Sequence, residues 1–312
     1  MGGAYGADYP AEGATKILPD STKTSLADVV FTCGDGNRVT FAALADQFVI
    51  TARHVTIQGG CFYFNRLWIG DGANGVSTDD VTVNGVHMFM FDISGGTNET
   101  IENSTIGPDV SCYAPSSGSP AACQNRSDTN EAYFYAGNRP NTQYSEPKVH
   151  SNSPSSAQSQ PSNVSILNNS FQRIQTRDSS NLHTGCLWVG YSGTGATLLR
   201  GNSFSECAIY DVHIDTPLTP NLTFTGNAFG HSVEPVQTGS NFTTETTTSQ
   251  TEIQLKCQIN QTVSGYTITS NTFEHGWDLD FGGCSGASYQ RTTITNNVGG
   301  SIQNPRQPFS AP

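Results

Sequence analysis

The stretch Asn163–Phe171, NVSILNNSF, recurs in altered form at Thr197–Phe204 (TLLRGNSF), Leu222–Phe229 (LTFTGNAF) and Tyr266–Phe273 (YTITSNTF), with a truncated copy, TTITNN, at Thr292–Asn297. Each copy alternates polar and apolar residues over a short run, the period of a β-strand. An Asn follows three residues after the central apolar residue, then in the full copies a small residue and Phe. Val55–Thr56–Ile57, Val81–Thr82–Val83 and Glu99–Thr100–Ile101 align as weaker copies. The central residues Ile57, Val83, Ile101, Ile166, Leu199, Phe224, Ile268 and Ile294 define eight rungs, separated by 26, 18, 65, 33, 25, 44 and 26 positions. Intervals of 25 or 26 residues without helical periodicity suit a parallel β-solenoid with two or three short strands per turn. The two long intervals are expected to hold an extra rung or protruding loops.

Two columns follow from stacking the copies. Asn169, Asn202, Asn227, Asn271 and Asn297 mark a corner, where Asn tolerates a left-handed backbone and its amide reaches the equivalent Asn of the next turn. Phe171, Phe204, Phe229 and Phe273 form a second, internal column. In this pattern the chain resembles the right-handed parallel β-helix proteins of the pectate-lyase-like superfamily, over about residues 29–300. The catalytic motifs of that superfamily's best-known members are not present. Leu67–Trp68–Ile69 is followed by Gly70–Asp71 with no His, and no Asn-Thr-Asp, Gly-His-Gly or Arg-Ile-Lys triplet occurs. The resemblance therefore implies a fold and carries over no catalytic residue.

The expected architecture is all-β: a single-domain right-handed parallel β-helix over residues 29–312 with internal Asn and Phe ladders. Residues 1–28 form an extended lead-in or cap, and polar excursions span 112–162 and 231–251. Within the first excursion Glu131–Tyr135 (EAYFY) has strand character. Early strands are expected at Val29–Cys33, Arg38–Phe41, Phe48–Thr51, Val55–Gln58, Phe62–Phe64 and Leu67–Ile69. A net charge of −12 with 13% charged residues excludes a phosphate-tracking nucleic-acid binder, which needs a basic groove. No apolar run is long enough to span a bilayer.

Eight cysteines allow 105 pairing schemes, a number the repeat cuts sharply, and one scheme of four bridges is expected. Cys186–Cys207 and Cys257–Cys284 sit at equivalent places on neighbouring turns about 4.8 Å apart, Cys33–Cys61 one turn apart, and Cys112–Cys123 closes a loop. Disulfides imply an oxidising compartment, so the expectation is a mature secreted chain without its leader. Eight N-x-S/T sequons, at Asn98, Asn103, Asn125, Asn163, Asn168, Asn221, Asn241 and Asn260, exceed only slightly the about five that composition alone produces.

Chemistry is expected on outward strand positions of one face. In Ile209–Asp215 alternation turns Tyr210, Val212 and Ile214 inward, leaving Asp211, His213 and Asp215 outward. Gln254 and Lys256, then Asp278 and Asp280, follow on later turns, and Trp188 precedes them. This face offers a ring for sugar stacking, carboxylates for acid, base or cation duty, and Lys and His for proton transfer. In a lyase, carboxylates would hold a Ca²⁺ against a uronic acid while Lys256 or His213 removes the C5 proton. In an inverting hydrolase, two Asp would serve as acid and base. His183 and Asp178 overhang the same face, whereas Asp79–Asp80 reads as a turn. A solvated charged ladder explains the same residues equally well.

The reading is a secreted protein that binds and cleaves extracellular polysaccharide with these residues. The alternative is a non-catalytic extracellular solenoid serving as an adhesin, a structural element or an ice binder. The last is suggested by the Thr column Thr56, Thr82, Thr100, Thr223, Thr267 and Thr293, flanked by Thr225, Thr269 and Thr295 but interrupted by Ser165, Leu198, Glu102 and Arg200.

Overall fold

A computed structural model describes residues 15–17, 29–32, 39–41, 47–70, 78–93, 95–107, 148–149, 161–172, 185–190, 195–205, 207–208, 210–215, 221–230, 232–238, 241–245, 252–256, 262–274, 279–280, 288–290, 293–299 and 302–303. The described residues are all-β, without a helix, and nearly all strand pairs are parallel.

The repeated triplets form a nine-stranded parallel sheet from Val29–Thr32 to Thr293–Thr295. Its register runs Phe31, Ile57, Val83, Ile101, Ile166, Leu199, Phe224, Ile268, Ile294, the expected column with one further strand at its start. Phe31 escaped the pattern because Val29–Val30–Phe31 does not alternate and no Asn follows it at the repeat's offset. Ile101 pairs directly with Ile166, and Phe224 with Ile268, so the long intervals hold no extra rung. Part of the second interval is an antiparallel hairpin, Ser232–Thr238 with Asn241–Glu245, inside the expected 231–251 excursion.

A second, sixteen-stranded sheet has two stretches joined through Phe62–Ile69 and His87–Ile93, whose front and back halves pair with different neighbours. The first stretch carries the aromatic column through Ser170–Gln172, Ser203–Ser205, Ala228–Phe229 and Thr272–Phe273. The second runs from Thr15–Ile17 through Gln47–Ile50, Lys148–Val149, Gly185–Gly190, Tyr210–Asp215, Ile253–Lys256 and Leu279–Asp280 to Ile302–Gln303. Thr15–Ile17 makes part of the lead-in a paired strand, and Lys148–Val149 makes part of the 112–162 excursion a strand of the sheet. The expected strands Phe62–Phe64 and Leu67–Ile69 are one continuous strand. Glu131–Tyr135 lies outside the described residues.

Both ladders are present. Each Asn side-chain amide donates to the Oδ1 of the next, Asn169 to Asn202 at 3.1 Å, Asn202 to Asn227 at 3.0 Å, Asn227 to Asn271 at 2.9 Å and Asn271 to Asn297 at 3.0 Å. The same Oδ1 also accepts the preceding Asn's backbone N–H, and the same amide donates to a rung carbonyl of the previous repeat, as Asn202 does to Ile166 O at 2.8 Å. Ser104 continues the column, its N–H donating to Asn169 Oδ1 and its Oγ accepting from Val86 N. Beside it, Phe171, Phe204, Phe229 and Phe273 stack at 4.7, 5.1 and 4.9 Å between centroids. Each such pair adds about 0.5–1.5 kcal/mol beyond burial.

The left-handed residue is not the ladder Asn, as expected, but the one before it. Asn103, Asn168, Gly201, Gly226, Ser270 and Asn296 have φ between 52° and 68°. This division has a reason: the kinked residue turns the chain outward, which leaves the next side chain pointing in and free to bond along the stack. A second left-handed column, His54, Asp80, Asn98, Asn163 and Asn221, precedes the rung strands. Asn98, Asn103, Asn163, Asn168 and Asn221 are all sequon Asn residues, all exposed. The corner requires a φ-tolerant residue, then an inward one, then an outward Ser or Thr opening a strand, so the fold itself writes N-x-S/T.

Asn202→Ala or Asn227→Ala should lower stability by roughly 1–3 kcal/mol, because buried donors lose their acceptor. Ser270→Gly should raise it by about 1 kcal/mol by relieving the left-handed strain. Chemical denaturation midpoints check both, and unchanged midpoints for the two Asn variants would contradict the ladder's role.

Candidate functional site

Alternation and register place the candidate residues on the second stretch of the large sheet. Leu187, Val189, Val212, Ile214 and Ile253 face the core. Between them runs a column of opposite parity: Val49, Trp68, Asp92, Lys148, Trp188, His213, Gln254, Asp280 and Gln303, each paired with the next. Two residues further along each strand, Gly190, Asp215 and Lys256 form a flanking column. Adjacent members of a column stand one strand spacing apart, about 4.8 Å.

Thus Trp188, His213 and Asp280 share one column, with Asp215 and Lys256 beside it. No strand stands between Tyr210–Asp215 and Ile253–Lys256 in the sheet, since Val212 pairs directly with Ile253 despite the 43-residue separation of Val212 and Leu255. His183, Asp178 and Asp278 lie outside the described residues. Asp79 and Asp80 form a turn, as expected: Asp80 has φ 56°, and Asp79 bridges to Thr97.

Burial changes the expectation for two residues. Trp188 is 5% exposed and Asp211 fully buried, where an open face was expected for both. Val49 and Trp68, at 1% and 0%, belong with Trp188: all three are buried, yet none joins the core cluster that contains their inward neighbours. Other parts of the chain therefore cover this end of the face from outside. Alternation predicts the side of the sheet a residue takes, not what packs over that side.

Three buried acids accompany the covered column. Asp211 N–H and Val212 N–H both donate to the carbonyl of Glu252 at 3.0 Å, which sets Asp211 beside Glu252, the residue before the strand Ile253–Lys256, with both side chains fully buried. Asp92, between Trp68 and Lys148 in register, is buried too. Asp92, Lys148 and Glu252 were missed from the sequence. Phe91–Asp92–Ile93 has the apolar–polar–apolar alternation of Val212–His213–Ile214, but no Asn-marked corner precedes it at the repeat's spacing. Among the described residues, no three His, Cys, Asp or Glu side chains converge as a metal-ligand set.

Cys186 and Cys207 are disulfide-bonded, with Cα atoms 5.3 Å apart. They are not register partners, since Gly185 aligns with Tyr210. The bridge instead reaches back to the short strand Cys207–Ala208. It ties the strand bearing Trp188 to the segment leading into His213. Cys61 is also disulfide-bonded. Cys33, Cys112, Cys123, Cys257 and Cys284 lie outside the described residues.

On the nine-stranded sheet, Thr56, Thr82, Thr100, Ser165, Leu198, Thr223, Thr267 and Thr293 are in register, and the Thr269 and Thr295 hydroxyls bond to each other at 3.1 Å. No family profile matches the chain, and neither a curated protein nor a solved structure shows significant similarity to it.

Replacing Cys186 and Cys207 together by Ser should cost about 2–4 kcal/mol. The denaturation midpoint reads this, and non-reducing peptide mapping should recover the two cysteines in one linked fragment. Both thiols free to alkylation in the native protein would contradict the bridge.

Proposed function

We propose that the chain is a right-handed parallel β-helix of the secreted type that binds extracellular polysaccharide along the second stretch of its large sheet and cleaves it there. Support for the coil comes from the order of visits. Val164–Leu167, Ser170–Gln172 and Gly185–Gly190 lie in the nine-stranded sheet, the aromatic stretch and the second stretch; Thr197–Arg200, Ser203–Ser205 and Tyr210–Asp215 repeat that order. Parallel crossovers within one sheet are right-handed in about 98% of cases, which supports the right hand.

The observation that carries the functional reading is the register of Asp215 with Lys256 beside His213, Gln254 and Asp280. It gathers a cationic amine, an imidazole and two carboxylates on three consecutive strands. These are the groups needed to take a proton from, or give one to, a sugar ring. With Trp188 and Asp211 covered, the reacting end of the face is assigned to His213, Gln254, Asp215, Lys256 and Asp280. Lys256 or His213 serves as base in a lyase, where carboxylates of this face would hold a Ca²⁺ against the substrate carboxylate. In a hydrolase, Asp215 and Asp280 serve as the acid and base pair. The burial of Trp188 and Asp211 favours a second reading, a non-catalytic extracellular solenoid in which this face is structural.

Incubation with acidic and neutral polysaccharides, with and without Ca²⁺, should yield either an ultraviolet-absorbing unsaturated product or new reducing ends. Lys256→Ala should reduce turnover about 10²-fold or more while leaving binding intact. Trp188→Ala should act through stability, lowering it by about 3–5 kcal/mol. Turnover by Lys256→Ala equal to the parent would place the chemistry elsewhere, and binding without turnover across the panel would favour the non-catalytic solenoid.

A further inference from the structure

The inward column that opens the rung strands reads Val55, Val81, Glu99, Val164, Thr197, Leu222, Tyr266. An acid stands in it at a position its neighbours fill with aliphatic residues. Glu99 is 0% exposed, and no Lys, Arg or His is among the groups that act on it. Its Oε2 accepts the Val81 N–H at 3.1 Å. Its Oε1 lies 2.6 Å from Thr78 Oγ1, which also lies 3.1 Å from the carbonyl oxygen of Gly95. Gly96 closes the pocket with φ 131°, and a Cβ there would collide with both Glu99 Oε1 and Thr78 Oγ1.

Proton counting decides the state of this acid. A hydroxyl has one hydrogen, and here two acceptors compete for it if Glu99 is ionised. A proton on Glu99 Oε1 resolves the competition: it is donated to Thr78 Oγ1, the Thr78 hydroxyl is donated to Gly95 O, and Val81 N–H keeps Oε2. An uncompensated buried carboxylate would carry a large desolvation penalty, which the neutral acid avoids. The charged groups around the corner add to this. Asp79 and Asp80 lie on the adjoining turn, with Asp79 accepting from Asn98 Nδ2 at 3.1 Å and Asp80 3.2 Å from His54 Nδ1.

We propose that Glu99 is a neutral carboxylic acid in the folded protein at neutral pH, and that its ionisation is a built-in alkaline release of the corner joining 78–81 to 95–99. Burial first, then Asp79 and Asp80, raise its pKa to about 8 from 4.5, against the lowering by the hydrogen bonds from Thr78 and Val81. Because the folded value lies above the unfolded one, the folded state takes up a proton between them. The stability linked to this proton is fully present below about pH 4.5 and is lost as pH rises through about 8.

The test is the pH dependence of the denaturation midpoint for the parent and for Glu99→Gln, which keeps the shape and removes the charge. The parent should lose stability across that window, and Glu99→Gln should flatten the loss. An unchanged slope in the variant would overturn the proposal. Should the variant fail to fold, ¹³C-carboxyl titration of Glu-labelled parent protein decides the matter. A buried Glu signal changing near pH 8 that persists in Glu252→Gln supports the proposal, whereas its loss in that variant, or all Glu signals changing near 4.5, overturns it.

Discussion

One side-chain amide in each of the five repeats from Ile166 to Ile294, placed under the next, holds those repeats in register. Asn202 spends both amide hydrogens and its oxygen on neighbouring repeats: one hydrogen goes to the Ile166 carbonyl behind, the other to Asn227 Oδ1, and its own Oδ1 accepts from the backbone N–H and side-chain amide of Asn169. A slip of one residue would bury an apolar strand's polar face and leave these groups unmatched, a cost of several kcal/mol spread over each misplaced pair. A ring of the aromatic column lies two residues beyond each of Asn169, Asn202, Asn227 and Asn271, so fixing the amide also fixes the ring stack. From there the chain enters the second stretch, where Trp188, His213, Gln254 and Asp280 come into line.

The same constraint explains which parts of the chain are free to vary. Where Ile101 pairs directly with Ile166, 64 intervening residues are inserted without disturbing the register, and the insertion between Phe224 and Ile268 contains a hairpin. Loop closure grows only slowly in cost with length, so a fixed corner tolerates long excursions. The architecture thus keeps a fixed scaffold that accepts long insertions between its strands.

The rungs and both ladders were legible because the signal is periodic and local: Asn and Phe recur at set offsets from an alternating triplet. Less legible was the left-handed position, since Gly201, Gly226, Ser270 and Asn168 share a conformation but no side-chain chemistry. The column of the candidate site was legible for Trp188, His213 and Asp280, where strict alternation applies, and not for Asp92 and Glu252, which lie outside the marked repeats. Burial of Trp188 was not legible at all. Alternation gives the side of the sheet a side chain takes and carries no information about what packs over that side. Glu99 shows the converse: its place in an apolar column is visible from the repeat, while its partners Thr78 and Gly95 come from the preceding corner.

The central claim is that the Asn column is an internal, continuous hydrogen-bonded stack that fixes the register. Native-state hydrogen exchange at the backbone amides of Asn169, Asn202, Asn227 and Asn271, each bonded to the next Asn's Oδ1, tests it most directly. The account predicts that these four are among the last amides to exchange and that they open together, at the free energy of global unfolding. Exchange of these amides at the rate of an unstructured peptide, or independently of one another at low free energy, would contradict it.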